Sequence, residues 1–120
     1  MKINIALLTV TDTRTFDNDK SGGILKKKIE EANHNLVDRK ICKDNKDEIV
    51  IILKEWLDNE KIDTIITTGG TGLTGRDITP EALEEIADKH IPGFGELFRN
   101  ISLKTVGTSA IQSRACAVLA

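Results

Sequence analysis

Residues Thr67 to Pro80 read Thr-Thr-Gly-Gly-Thr-Gly-Leu-Thr-Gly-Arg-Asp-Ile-Thr-Pro. A run this rich in glycine and threonine can curl its backbone N–H groups around an anion. Its carboxylate, Asp77, would repel a phosphate held beside it. A divalent cation reverses that repulsion, because it takes oxygen ligands from carboxylate, phosphate and water together. The residues therefore predict a phosphate nest made by Thr68, Gly69, Gly70, Thr71, Gly72 and Gly75. Arg76 supplies a fixed positive charge, and Asp77 holds a Mg2+ or its water. The competing reading is a structural turn in which Asp77 caps the loop or pairs with Arg76.

Two familiar nucleotide motifs come close and fail. Gly70, Gly72 and Gly75 satisfy G-x-G-x-x-G, but the dinucleotide fingerprint opens its helix within the glycines and wants an acidic residue at the end of the next strand. Here the helix signals come only at Thr79 and Pro80, and Glu96 falls in a helical stripe. Residues 70–77 nearly match the P-loop, with Arg76 in place of its lysine and Asp77 in place of its hydroxyl.

The elements that must carry this loop alternate strand and helix. Lys2 to Thr11 is an almost continuous apolar run, as in a strand buried on both faces. Ser21 precedes a helix over 22–32 with Ile24, Leu25, Ile29 and Ala32 on one side. Residues 36–42 read as a second strand. Ile49, Ile52, Leu53, Trp56 and Leu57 recur at helical spacing behind a capping box from Asn45 to Glu48. Residues 63–68 form a third, β-branched strand. Thr79 is expected to cap the next helix, with Pro80 at its first position. Phe94, Leu97, Phe98 and Ile101 begin a further stripe, expected in the core or at a subunit interface. Ser109 and Gln112 suggest a capping box for a last helix running to Ala120.

This alternation predicts an α/β three-layer sandwich with a mostly parallel central sheet. Ligands in such sheets sit beyond the carboxyl ends of the strands. Three segments fall there: residues 9–19, with Asp12, Arg14, Asp17 and Asp19; residues 43–45, with Asp44; and the glycine loop. A helix start at Ser21 and Gly22 offers a place for a second phosphate. Arg114 is another candidate anion ligand. Ser113 has no triad context around His34 or His90.

The bulk properties fit a compact soluble enzyme or binding domain. Over 120 residues the chain is 39% hydrophobic and 30% charged, with a net charge of −2. That balance argues against nucleic acid and anionic membranes as partners. The absence of Tyr, with Trp56 alone, removes aromatic platforms for bases. No apolar run approaches the ~20 residues of a membrane span. Cys42 and Cys116 lack metal-ligand spacing and read as free thiols in a reducing cytosol.

Leu8 to Arg14, Ser21-Gly22, Thr67 to Ala82, Ile91 to Arg99 and Gly107 to Ala115 together resemble the molybdopterin adenylyltransferase and protein B family of molybdenum-cofactor biosynthesis. Residues 72–74 and 107–115 place the chain nearer the protein B branch. The resemblance implies a molybdopterin-binding-domain fold and a cytoplasmic homotrimer or homohexamer. It implies adenylylation of molybdopterin by Mg-ATP, with release of pyrophosphate. Asp44 and Asp77 would be the functional aspartates, and Asp12, Ser21, Gly22, Ser109 and Ser113 would line the substrate site. Its retained Arg76, Asp77 and Thr79 favour activity. Two alternatives stand beside this: a non-catalytic molybdopterin-binding or scaffold protein, and a nucleotide pyrophosphate hydrolase. Residues 1–120 are expected to form one domain that lacks the family's last strand, Pro-Gly loop and final helix.

Overall fold

The computed structural model describes residues 1–120. Its centre is strand β1 (Asn4–Val10), flanked by β2 (Asn35–Cys42) and β3 (Thr64–Thr68) in the order β2-β1-β3, all parallel. Ile5 to Val10 are all buried, which explains the unbroken apolar run: a central parallel strand is covered on both faces. Alternation along β1 turns Ala6, Leu8 and Val10 toward helix α2 (Lys46–Leu57) and Ala82 of helix α3 (Thr79–Ile86). The opposite face meets helix α1 (Lys20–Glu31). The expected three layers and parallel sheet are therefore present.

Helix α2 follows its stripe. Ile49, Val50, Leu53 and Trp56 are buried and Ile52 packs against them, while Leu57 lies at the edge. Asn45 caps this helix by accepting from the Glu48 N–H at 3.0 Å, as its spacing predicts. In α1 only Ile29 and Gly22 are fully buried, and Ile24 faces outward.

Three expectations about helix ends are corrected. Helix α1 starts one residue before Ser21, because Asp19 is the cap and accepts from the Gly22 N–H at 3.0 Å. Thr79 is already helical, and its hydroxyl turns back to donate to the Gly69 carbonyl at 2.8 Å. No helix runs to Ala120. Helix α4 (Pro92–Val106) passes at Gly107 (φ 66°) into a 3-10 turn over Gly107–Gln112. The chain is then extended, and Val118–Leu119 (β5) pairs antiparallel with Lys89–His90 (β4). Ser109 donates to the Val106 carbonyl at 2.7 Å and so closes the end of α4; it caps no new helix.

For the α4 stripe the structure removes one of the two expected places. Phe94, Leu97, Phe98 and Ile101 are 45–61% exposed, so they form no part of the core of this chain.

Asp19 is the one fully buried carboxylate, held by Thr9 Oγ1 at 2.6 Å, by the Gly22 amide and by Arg39 Nη2 at 3.2 Å. Burial pushes its carboxyl up, but these donors together bring it below the ordinary value of 3.8. Asp19→Asn should therefore cost about 3 kcal/mol at neutral pH, the scale of losing one partner of a buried pair. A depressed folded value means this stabilisation is present above 3.8 and is lost as pH falls through the folded value. Urea denaturation of both proteins should show the gap closing in that acid window. A gap that persists unchanged there would disprove the ionic origin.

Candidate functional site

The parallel sheet brings the carboxyl ends of β1, β2 and β3 to one rim, and the predicted segments meet there. Asp12, beyond β1, joins the other two loops. Its Oδ1 accepts from the Asp44 N–H at 3.1 Å, and its Oδ2 accepts from Arg76 Nε at 3.0 Å and from Arg76 Nη2. The Arg76 hydrogen bonds, followed by the Asp44 amide, hold the Asp12 carboxyl below its usual range. Arg76 thus pairs with Asp12 and not with Asp77, and its side chain remains 71% exposed.

The glycine loop is shaped by close backbone approach. Gly69 has φ 97°, and a Cβ there would stand 2.2 Å from the Val10 carbonyl oxygen. Gly70 has φ 68°, with Thr79 Oγ1 at 2.3 Å and Asp44 Oδ1 at 3.1 Å from a built Cβ. Neither position admits a side chain. Gly75 differs: nothing lies within 4 Å of its Cβ position. The N–H groups of Thr71, Leu73, Gly75 and Arg76 donate to no protein acceptor.

Asp77 is folded into its own loop. One carboxylate oxygen accepts from Thr74 Oγ1 at 2.7 Å and from the Thr74 N–H at 2.9 Å. These bonds, with help from the Gly72 amide, lower its pKa. Asp77 therefore caps its own loop. The bare carboxylate of the rim is Asp44. No hydrogen bond reaches its oxygens, and its pKa is raised by burial first and then by Asp12 and Asp77.

The remaining predicted residues divide. Thr68 Oγ1 donates to Ser21 Oγ at 3.4 Å, which brings the start of α1 to the end of β3. Gly22 is packed against Asp19, leaving no room for a Cβ. The Asp19 carboxylate already holds the Gly22 amide, one of the groups that a second phosphate at this helix start would use. Ser113 lies beside the loop through its neighbour Arg114, whose N–H donates to the Thr71 carbonyl at 2.8 Å. Ser109 sits apart, at the end of α4. The Arg114 guanidinium binds three protein groups: Gly72 O at 2.6 Å, Asp77 O at 2.9 Å and the Glu81 carboxylate. Its partnership with Glu81 leaves no signal in the sequence, since 33 residues separate them. The thiols are half-buried and unpaired, and burial pushes Cys42 up to about 11.

A parallel α/β sheet with a glycine loop and clustered carboxylates on its carboxyl rim defines an open α/β protein whose strand ends converge on one edge, the edge where such sheets bind ligands. Residues 6–120 match the family model described as "Probable molybdopterin binding domain". Relatives include molybdenum cofactor biosynthesis protein B of Escherichia coli K12, 42% identical over 116 residues (97% of this chain, 68% of the relative). The protein of the same name in Staphylococcus aureus COL is 47% identical over 118 residues (96% and 70%). A crystal structure of a molybdenum cofactor biosynthesis protein B superposes with a TM-score of 0.92 at 43% identity, covering 97% of this chain and 73% of that one. The tungsten cofactor synthesizing protein MoaB of Pyrococcus furiosus gives 0.84 at 35%, covering 98% and 72%. The chain belongs to this molybdopterin-binding-domain family, and it has the family's α/β fold.

Because ionised Asp44 is held against two like charges, Asp44→Asn should leave the unliganded protein as stable as the parent or more so at pH 7. The raised folded value means the parent gains stability as pH falls through it, and the variant lacks that gain. Thermal denaturation checks this. A drop in Tm of more than about 5 °C, the scale of ~1 kcal/mol in a domain of this size, would show that Asp44 supports the fold instead.

Proposed function

We propose that the chain acts in molybdenum cofactor biosynthesis as a cytoplasmic adenylyltransferase. A phosphate oxygen of molybdopterin attacks the α-phosphorus of ATP, a new P–O–P bond forms, and the bond to the β-phosphate breaks to release pyrophosphate. The observation that carries this reading is the pairing of free loop amides with an unpartnered carboxylate, Asp44, against Gly70. Thr71, Leu73, Gly75 and Arg76 would donate their N–H groups to the polyphosphate. Gly75 lets the ligand approach the backbone closely. Arg76, exposed and held by one carboxylate, would exchange Asp12 for phosphate oxygens.

The donor set fits a Mg2+ that arrives with the nucleotide. No three His, Cys, Asp or Glu side chains converge into a ready cage. Mg2+ commonly needs only one or two carboxylates when phosphates complete its shell. Asp44 would hold it, joined by Asp77 once its carboxylate turns out from Thr74. The ion would neutralise phosphate charge as the bonds exchange. Catalysis then rests on orientation and electrostatics, with no covalent enzyme intermediate.

The exposed apolar stripe of α4 supports assembly into a homo-oligomer, a trimer or hexamer, because single-chain soluble proteins rarely leave such a face bare. The family and the names of its relatives support the pathway and the pterin substrate. One observation favours a second reading, a molybdopterin-binding protein without turnover: Asp77 is satisfied within its own loop.

Incubation with molybdopterin, ATP and Mg2+ should yield an adenylylated pterin and pyrophosphate. Nucleotide binding without pyrophosphate would select the binding protein, and nucleotide turnover without pterin would select a hydrolase. Asp44→Asn and Asp77→Asn should each lower turnover by roughly 10²–10³-fold, the scale of one preorganised electrostatic contact. Gly75→Ala, which meets no atom in the fold, should keep Tm and weaken nucleotide binding. Unchanged affinity in that variant would place the nucleotide elsewhere.

A further inference from the structure

We infer that Arg114 is the positioning residue of the glycine loop: it sets the direction of the loop's amides and binds no phosphate itself. The inference rests on the proposed nucleotide site.

Arg114 grips three carbonyls of the loop. Its own N–H donates to Thr71 O at 2.8 Å, Nε donates to Gly72 O at 2.6 Å, and Nη2 donates to Asp77 O at 2.9 Å. Nη1 pairs with the Glu81 carboxylate at 2.8 Å, in the first turn of α3. In a trans peptide the carbonyl and the following N–H point in opposite directions. Drawing the Thr71 carbonyl toward Arg114 therefore aims the Gly72 N–H the other way, toward the Asp77 carboxylate that it supports. Drawing in the Gly72 carbonyl aims the Leu73 N–H away, into the space where it meets no protein acceptor. Arg114 thus sets the direction of two loop amides by holding the carbonyls before them, one with its main-chain N–H and one with its guanidinium.

Arg114 is braced from behind. Arg99, on α4, donates through Nη1 to the carbonyls of Ser113 and Ala115, each at 3.1 Å. These two carbonyls flank Arg114. Gly95 permits the approach, since a Cβ there would lie 2.5 Å from Ala115 O. The rigid planar fork of an arginine suits three diverging acceptors, whereas a lysine ammonium is a single point on a flexible stem. The guanidinium of Arg114 directs donors at Gly72, Asp77 and Glu81 and its side chain is 32% exposed, whereas Arg76 is 71% exposed and held by one carboxylate.

The test is Arg114→Lys, which keeps the charge and loses the fork, with Glu81→Gln and Arg99→Lys as milder variants should the first fail to fold. Amide hydrogen exchange without ligand is read at Thr74, Asp77 and Thr79, which are bonded within the loop, and at β1 and α2 as reference. Affinity for magnesium tripolyphosphate is read by calorimetry, and KM and kcat by pyrophosphate release. Arg114→Lys should speed loop exchange by ~10-fold or more with the reference amides unchanged. It should weaken tripolyphosphate binding and raise the nucleotide KM by ~10-fold, with a smaller effect on kcat. Glu81→Gln and Arg99→Lys should show the same pattern, reduced to roughly threefold. Loop exchange equal to the parent's, or acceleration spread evenly over loop and reference amides, would overturn the inference. If the parent protein releases no pyrophosphate, the adenylyl-transfer reading falls. Exchange and tripolyphosphate binding still decide the role of Arg114.

Discussion

The structure depends on a central strand that is buried on both faces and paired in parallel on both edges. Parallel pairing on both edges needs crossovers, and these lie on the faces as helices and remove Ile5 to Val10 from water. Parallel pairing sends β1, β2 and β3 out at the same edge. Asp12, Asp44 and the glycine loop, far apart in sequence, must then share one rim. Even the restrictions on Gly69 and Gly70 follow, because the loop leaves β3 pressed against Val10 and the start of α3.

The rim is an arrangement of unequal charges. Asp12 and Asp77 are stabilised as anions by near donors, one by Arg76 and the Asp44 amide, the other by Thr74. Asp44 lies between them in its electrostatics: it feels both charges and receives no hydrogen bond of its own. Under the proposed function, a cation arriving with the nucleotide would relieve this crowding of like charge. The two arginines play opposite parts. Arg76 is solvent-facing and held by a single exposed pair, while half-buried Arg114 is bonded to loop carbonyls and Glu81.

The outer helix makes a different kind of demand. α4 contacts the extended 113–117 segment through Gly95 and Arg99, yet turns Phe94, Leu97, Phe98 and Ile101 outward. Its inward contacts are polar and specific, and its outward face is apolar and bare. No helix in the structure is long and apolar enough to cross a membrane, so that face is amphipathic surface and not a span.

Much of this was legible in residue order. Unbroken apolar β1, the stripe from Ile49 to Trp56 and the Asn45 cap each follow from local patterning, because burial on a strand or one helix face imposes a period that neighbours in sequence reveal. The glycine loop and its place after β3 were legible for the same reason. Local pattern misled where two readings shared the same letters: Ser21 and Thr79 resemble caps, but Asp19 took one end and the Gly69 carbonyl drew in the Thr79 hydroxyl. Ser109 and Gln112 have capping spacing, yet the segment after them is held extended by β4 and Arg99. The sequence by itself determined the layers, the order of the strands' loops and the chemistry available on them. Only the tertiary structure decided which charge meets which, pairing Arg76 with Asp12, Arg114 with the loop, and leaving Asp44 without a partner. Hydrogen bonds between residues dozens of positions apart depend on distances that no local period encodes.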